Sequence, residues 1–413
     1  MKRSIMSSSF WRLVLGDGLG AFVSSAVFIT IRFYTQSHFA SILINGMVGT
    51  IEQFSYIGFS LVAGLLIDQH SRRKILIIVN LAMASVGWIP AIFIGNNKTF
   101  LISIFLVELI LSALTIMERG AFSAYLKFLV VHDKIAQAEG IMVTVSSIGF
   151  ILGILVSYFG FVLSNIHLTY FFMSSSLVAL FMAMILITLP HDEVPILSDE
   201  GSEMTLRKQV REIVNLLRYC KGNKFILYYL VSVSIGNGGS SILMALIFYF
   251  IGKYSHISEF WIPGLAIGLA ISIAGSVFSY VVKLFHTLWI IIVADCLCSI
   301  ALSVLAISTS LSMLSVILFI YFLFSSLSGS AFRTLRLRET PDYLQGRVQS
   351  LVYQMSSIVE IIIVLVASLV GTLTHSLELS FLMGAICTMI GAILFSFGKL
   401  RKRFTYTDLS KEL

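Results

Sequence analysis

Long apolar runs, broken by short polar interruptions, set the pattern of this chain. Runs of about twenty apolar residues occupy 11–35, 40–67, 74–95, 100–118, 138–163 and 168–189. A second group occupies 223–252, 257–282, 286–307, 310–332, 347–373 and 377–399. A helix of about 20 residues crosses the hydrocarbon layer of a bilayer, so each run predicts a membrane span. Barrel strands would be about ten residues long and strictly alternating, which these runs are not. The expected fold is an all-α polytopic membrane protein, with twelve transmembrane helices in two six-helix bundles. Residues 1–189 form the first bundle and 223–413 the second. The polar linker 190–222 joins them. In it Leu206, Val210, Ile213, Val214 and Leu217 share one helical face, apart from Arg207, Lys208, Arg211 and Glu212. That spacing predicts an amphipathic helix lying on the membrane surface or against the bundle.

Composition agrees with lipid as the main solvent: 57% of residues are hydrophobic and 12% charged, with a mean hydropathy of +0.95. A soluble domain would be about one quarter charged. The run beginning at Trp11 is about twice the length of a secretory signal core, so the first span is expected to stay in the membrane. Cys220, Cys296, Cys298 and Cys387 lack metal-type spacing and read as packing residues.

The net charge of +7 suggests nucleic acid until its placement is considered. With both termini on one side, that side collects all of the 28 lysines and arginines except Arg32, Lys98 and Lys253. Topology therefore accounts for the basic excess, and no nucleic-acid partner is expected. Both termini are expected in the cytoplasm, in a multi-pass protein of a bacterial plasma membrane.

The two halves also echo one another. Ala121-Phe122 matches Ala331-Phe332, and Ser146-Ser147-Ile148 matches Ser356-Ser357-Ile358, both at an offset of 210 residues. Gly64, Asp68 and Arg72 correspond to Gly275, Ser279 and Lys283 at an offset of 211. Two parallel repeats are expected to enclose a central site that opens alternately to either side.

The stretch "GLLIDQHSRRK" (64–74) carries a loop signature. Gly64, Asp68, Arg72 and Arg73 match G-x-x-x-D-R-x-G-R-R/K, with Gln69 in place of a basic residue and Ser71 in place of glycine. Together with "RETPDYLQGRVQS" (338–350), the chain resembles the major facilitator superfamily over essentially its full length, and most of all its macrolide-efflux-type branch. That resemblance implies a secondary transporter working by alternating access, with proton-coupled export of a drug, antibiotic or small amphipathic peptide. A lysolipid or nutrient transporter of the same fold stays open, as does a non-transporting sensor or scaffold. The resemblance also implies a gate: Gly64 permits close helix approach, and Asp68 meets the positive end of the eleventh span near Gly346. Gly149 and Gly153 resemble the start of the antiporter signature G-x-x-x-G-P-x-x-G-G, after which Ile154 and Ser157-Tyr158 depart from it. Their spacing, and that of Gly264 and Gly268, predicts close helix contact. The resemblance places both pairs at the seam between the bundles.

Charged residues inside spans need a reason, since each costs about 2.5–3.5 kcal/mol at mid-bilayer on insertion scales. Asp17, Arg32, Glu52, Glu108, Asp295 and Glu360 are such residues. Some could be interhelical pairs or buried acids bonded to backbone. Others could couple transport to protons, since a carboxyl group reached from each side in turn loads a proton from one and releases it to the other. Glu108 and Glu360 lead as coupling groups, with Glu52 third. Phe22, Phe28, Tyr249 and Tyr353 are candidate cavity aromatics. The sequence has no G-x-x-x-x-G-K-[ST] loop for ATP and no H-E-x-x-H metal motif. No enzyme activity, metal or cofactor is expected. The expected energy source is a proton gradient, the expected partners are a small-molecule or peptide substrate and the bilayer, and the expected state is a monomer. If Asp68 is a gate, Asp68→Asn slows transport more than it weakens substrate binding; equal loss of both in paired flux and binding assays counts against gating.

Overall fold

Lipid offers the backbone no hydrogen-bond partners, so a spanning segment must satisfy its own amides, and helix is the form that does so within one segment. The sequence puts few obstacles in the way. Pro263 falls in the first turn of its helix, where the missing amide hydrogen costs nothing, and Pro190 comes after a helix end. Serines start several helices: the Ser7 hydroxyl accepts from the Phe10 amide at 3.2 Å and the Ser71 hydroxyl from the Lys74 amide at 3.4 Å.

The computed structural model describes residues 7–39, 41–89, 97–130, 135–163, 168–191, 224–254, 261–308, 310–339 and 345–409. The first half holds α1 (Ser8–His38), α2 (Ile42–Gly49), α3 (Ile51–Gln69), α4 (Arg72–Val86), α5 (Asn97–Leu129), α6 (Ile135–Ser157) and α7 (Leu168–Ile187). A π-helical turn, Tyr158–Leu163, extends α6. The second half holds α8 (Lys224–Tyr254), α9 (Trp261–Leu284), α10 (Thr287–Ala306), α11 (Leu311–Glu339), α12 (Gln345–Leu373) and α13 (Leu377–Leu409). The amphipathic helix expected in the linker lies outside the described residues.

The internal repeat carries through to the helices. The matched Ala121-Phe122 and Ala331-Phe332 lie on α5 and α11, and the matched Ser146-Ser147 and Ser356-Ser357 on α6 and α12. α2 and α3 together make one span, broken at Thr50, whose amide and hydroxyl both return to the carbonyl of Met47. Among the described residues, eight helices are long and apolar enough to cross a membrane. Three of the other spans have features of their own. The second is split, α4 has 15 residues, and α5 carries Glu108, Glu118 and Arg119 within its length.

Helix contacts hold each half together, and a smaller set joins the halves. α1 packs on α6 and α7, and α8 on α13 and α12, while α2 and α3 meet α8 and α12, and α6 meets α9. The apolar clusters show how the seam differs along its length. At the face remote from the termini, one cluster runs through both halves, from Ile29, Phe33 and Ile42 to Leu246, Phe250, Val364 and Phe381. At the face bearing the termini, Phe10, Leu76 and Tyr125 belong to one cluster, and Tyr229, Ile291 and Phe395 to another. Among the described residues, the buried apolar clusters are thus shared by the halves at the far face and separate at the terminal face.

Small residues set the closest approaches. Gly149 and Gly153 lie against α1 of their own half: a Cβ on the first would run into the Gly18 carbonyl, and one on the second into Ser25 and the Phe22 carbonyl. Ser157 continues the stripe, donating to the Ala26 carbonyl at 2.8 Å. The expectation that these two glycines lie between the bundles is therefore corrected, because their open side faces α1. Gly268 does face the other half, since a Cβ there would meet Ile151 of α6. Gly264 is buried one turn earlier on α9.

We expect Gly153→Val to lower thermal stability in detergent by about 1–3 kcal/mol, the usual cost of overpacking a filled interior. Gly58→Ala serves as the control, because a Cβ there meets nothing within 4 Å; equal melting shifts for the two variants would remove the packing explanation.

Candidate functional site

The charged residues predicted inside spans fall into two groups in the structure. The first is a closed ion pair. Arg32 of α1 and Glu108 of α5 approach to 3.9 Å, with side chains 2% and 7% exposed. Arg32 also lies over the Phe28 ring, 4.6 Å from its centroid, and reaches the Asn45 carbonyl at 3.5 Å. A cation on an aromatic face with a carboxylate beside it is partly compensated in a dry setting, although Arg32 Nε and Glu108 Oε2 have no hydrogen-bond partner among the described residues. Asn45, fully buried, ties the end of α1 to the start of α2 by donating to Gln36 and the Ser41 carbonyl. Glu108, one of the two leading coupling candidates, is thus engaged with Arg32 rather than facing the other half.

The second group lies where α3 crosses α12. Going along α3, Gln53 meets Glu360, Tyr56 meets Tyr353 and Ser60 meets Gln354. The spacing of 53, 56 and 60 puts all three on one helical face. Glu360 accepts hydrogen bonds from Ser241 of α8 at 2.8 Å and from Gln53 at 3.3 Å. The Tyr56 and Tyr353 rings are 5.6 Å apart, one from each half. Arg119 of α5 donates to the Tyr56 hydroxyl at 3.4 Å. Arg119 is exposed even though it sits ten residues short of the end of α5. Bonded to Tyr56 and within electrostatic range of Tyr353, it lies beside the contact between the halves. Asn237 of α8, exposed one turn before Ser241, borders the same region and bonds Glu360.

Glu52 connects the two groups. It lies within electrostatic range of Arg32 and Glu108 on one side, and of Glu360, Tyr56 and Arg119 on the other. The structure therefore moves the third-ranked glutamate to the centre. The arrangement can bind a cationic or zwitterionic group at Glu52 and Glu360, stack a flat ring beside the two tyrosines, and offer Arg119 to an anionic or carbonyl group.

Asp17 and Asp295 stand apart from this site. Each accepts from a serine on a neighbouring helix: Asp17 from Ser146, and Asp295 from Ser328 at 2.6 Å. Asp17 lies within range of Glu118, which is 4% exposed and accepts from Asn80 at 2.9 Å. Sequence reasoning missed Glu118 because it ended the fourth span there, and for the same reason it counted Arg119 as a surface cation. Gln53, Tyr56 and Ser60 were missed as well, although polar residues repeating at helical spacing within an apolar run were a usable signal.

Of the gating residues, Arg73 is well defined. It donates to the Ile187 carbonyl and contacts the His191 ring, which places a cation at the C-terminal end of α7. Ser71, the departure from the glycine of the signature, caps α4. The side chains of Gly64, Asp68 and Gln69 lie outside the described residues, as does the surrounding of Gly346, so the expected latch is not described. Among the described residues no group of histidine, cysteine and acidic side chains fits a metal.

The sequence profile described as Major Facilitator Superfamily matches residues 13–364. A curated relative, macrolide efflux protein A of Streptococcus pyogenes, is 24% identical over 143 residues, which is 35% of this chain and 35% of that protein. The match thus spans about a third of the relative's length. Among solved structures, the nucleoside transporter NupG is similar with a TM-score of 0.75 and 13% identity, over 95% of this chain and 100% of that one. A D-xylose–proton symporter is similar with a TM-score of 0.73 and 15% identity, over 94% and 97%. At these identities the structural likeness speaks for the fold alone. The profile match over most of the chain, with the two pseudo-symmetric helical halves, makes this chain a member of the Major Facilitator Superfamily.

Proposed function

We propose that this membrane transporter exports an amphipathic drug, antibiotic or small peptide in exchange for protons, with Glu360 and Glu52 as the groups that bind proton and substrate in turn. The observation that carries this reading is the position of Glu360. It is an acid on α12 held by Ser241 from its own half and by Gln53 from the other. A proton or a substrate cation there changes the charge of a group that both halves touch, and a ligand moves a two-state equilibrium only through such a difference between the states. The short match to macrolide efflux protein A supports export of a bulky amphipathic compound, and the Tyr56–Tyr353 pair supplies flat apolar area for one.

The lysine and arginine distribution supports both termini in the cytoplasm of a bacterial cell. With that orientation, the far face is the outer one, and in this reading the site is reached from the inside past Arg119. Substrate then enters from the cytoplasm, beside an ionised Glu360. Asp68, in the reading that makes it a latch, acts in the alternate state, when the terminal face closes. The protein works as a monomer in this scheme, since each chain holds a complete site.

The test uses purified protein in liposomes, an imposed proton gradient, and radiolabelled tetraphenylphosphonium and erythromycin as probes. The wild type accumulates at least one of them under the gradient; failure with both overturns the assigned substrate class. Glu360→Gln reconstitutes normally but loses gradient-driven accumulation to the level of empty liposomes, and unchanged transport would sink the coupling role. Glu108→Gln behaves differently, because it strands Arg32. It loses about 3–5 kcal/mol of stability, as expected for a broken buried pair, and is read out by thermal melting.

A further inference from the structure

Gln53 occupies a position that serves two masters, and its amide can serve only one at a time. Turned one way, its nitrogen donates to Glu360 at 3.3 Å, and its oxygen then faces the carbonyl oxygens of Gly49 and Thr50. Turned the other way, the nitrogen donates to Gly49 at 3.0 Å and to Thr50 at 3.3 Å, and the oxygen faces Glu360. The first orientation suits an ionised Glu360, which can only accept. The second suits a protonated Glu360, whose hydroxyl donates to the Gln53 oxygen. Each protonation state of one residue on α12 thus selects one orientation of one amide on α3.

The two carbonyls belong to the joint between α2 and α3. Just before the joint, α2 carries the tightest contacts between the halves. A Cβ on Gly49 would run into Ala245 of α8, and one on Gly46 into Ser368 of α12. A bracket across the joint therefore acts on the part of the first half that seals the outer face.

We propose that Gln53 is a positioning residue that relays the protonation state of Glu360 to the outer seal, bracing the α2–α3 joint when Glu360 is protonated and releasing it when Glu360 is ionised. This rests on the exchange mechanism proposed above. Its direction fits export: a proton taken up from outside closes the outer face, and loss of that proton to the inside readies the seal to open once substrate is bound. Glu52 and Gln53 of α3 face Glu360, as do Asn237 and Ser241 of α8. α2 has no ionisable residue, and α13 carries Glu378 in its first turn and basic residues from Lys399 onward. Glu52 is therefore the titratable neighbour that the experiment must hold constant.

The test measures the outer face directly. Spin labels are placed at His38 and Thr374, exposed at the outer ends of the two halves, in full-length protein with its cysteines replaced, in lipid nanodiscs. Electron–electron distances are recorded across a pH series without substrate. The wild type shifts toward the short, closed distance as pH falls. Gln53→Met, and Gln53→Leu as a second variant should the first fail to fold, leave Glu52 and Glu360 in place. Either shows a pH-driven change in the closed-to-open ratio about tenfold smaller, the scale of a lost pair of buried hydrogen bonds. Glu360→Gln shows a ratio independent of pH. A wild-type pH response in the Gln53 variants, with the response lost in Glu360→Gln, overturns the relay while leaving Glu360 as coupling group. A full pH response in Glu360→Gln overturns the exchange reading and the relay with it. A merely structural role for Gln53 predicts an altered ratio at every pH with its pH dependence intact, which also counts against the relay.

Discussion

The contact on which this arrangement depends is the close approach of α2 to the second half. Gly46 and Gly49 present bare backbone to Ser368 and Ala245, at separations no side chain could share. Dispersion falls steeply with distance, and lipid tails compete with helices for apolar surface, so membrane helices associate best where small residues let backbones meet. This contact lies beside the apolar cluster that the halves share at the far face, while the described clusters at the terminal face each belong to one half. A molecule shut by backbone proximity at one end and open at the other is one conformation of a rocking pair. Few and local contacts of this kind are what such a pair can exchange.

The buried charges are arranged around that constraint. Arg32 and Glu108 are partly compensated by each other and by Phe28, and they tie α1 to α5. Breaking such a pair costs more than forming it contributes, so it works as scaffolding. Glu360 is different: its partners are neutral hydroxyl and amide groups, one of them from the opposite half. A charge held by neutral dipoles can gain or lose a proton without stranding an opposite charge. That chemical difference, and not depth in the membrane, separates Glu108 from Glu360.

The first half and the second solve the same packing problem differently despite their common pattern. α1 packs most extensively on α6 through Gly18, Gly149, Gly153 and Ser157, whereas α8 does so on α13, where Gly239 meets Gly384 and Gly391 meets Ser232. The repeat puts matched residues on α5 and α11 and on α6 and α12, but it does not fix which neighbour is approached most closely. Glycine positions, which differ between the halves, choose the neighbour.

By itself the sequence determined the helical class, the two groups of spans, the 210-residue repeat and most of the ionisable residues withdrawn from water, Glu118 excepted. These follow from local rules: a backbone in lipid must close its own hydrogen bonds, and a run of apolar residues has no other solvent. The tertiary structure decided the partners. Glu108 and Glu360 look alike along the chain, each an acid deep in an apolar run, and only packing sets Arg32 beside the first and Gln53 and Ser241 beside the second. Likewise Arg119 reads as a surface cation until α5 continues ten residues past it, and Gly149 and Gly153 read as a seam between bundles until α1 fills their open side. Which helices approach, and at which residue, depends on contacts between positions tens to hundreds of residues apart, and spacing along a single helix carries no record of them.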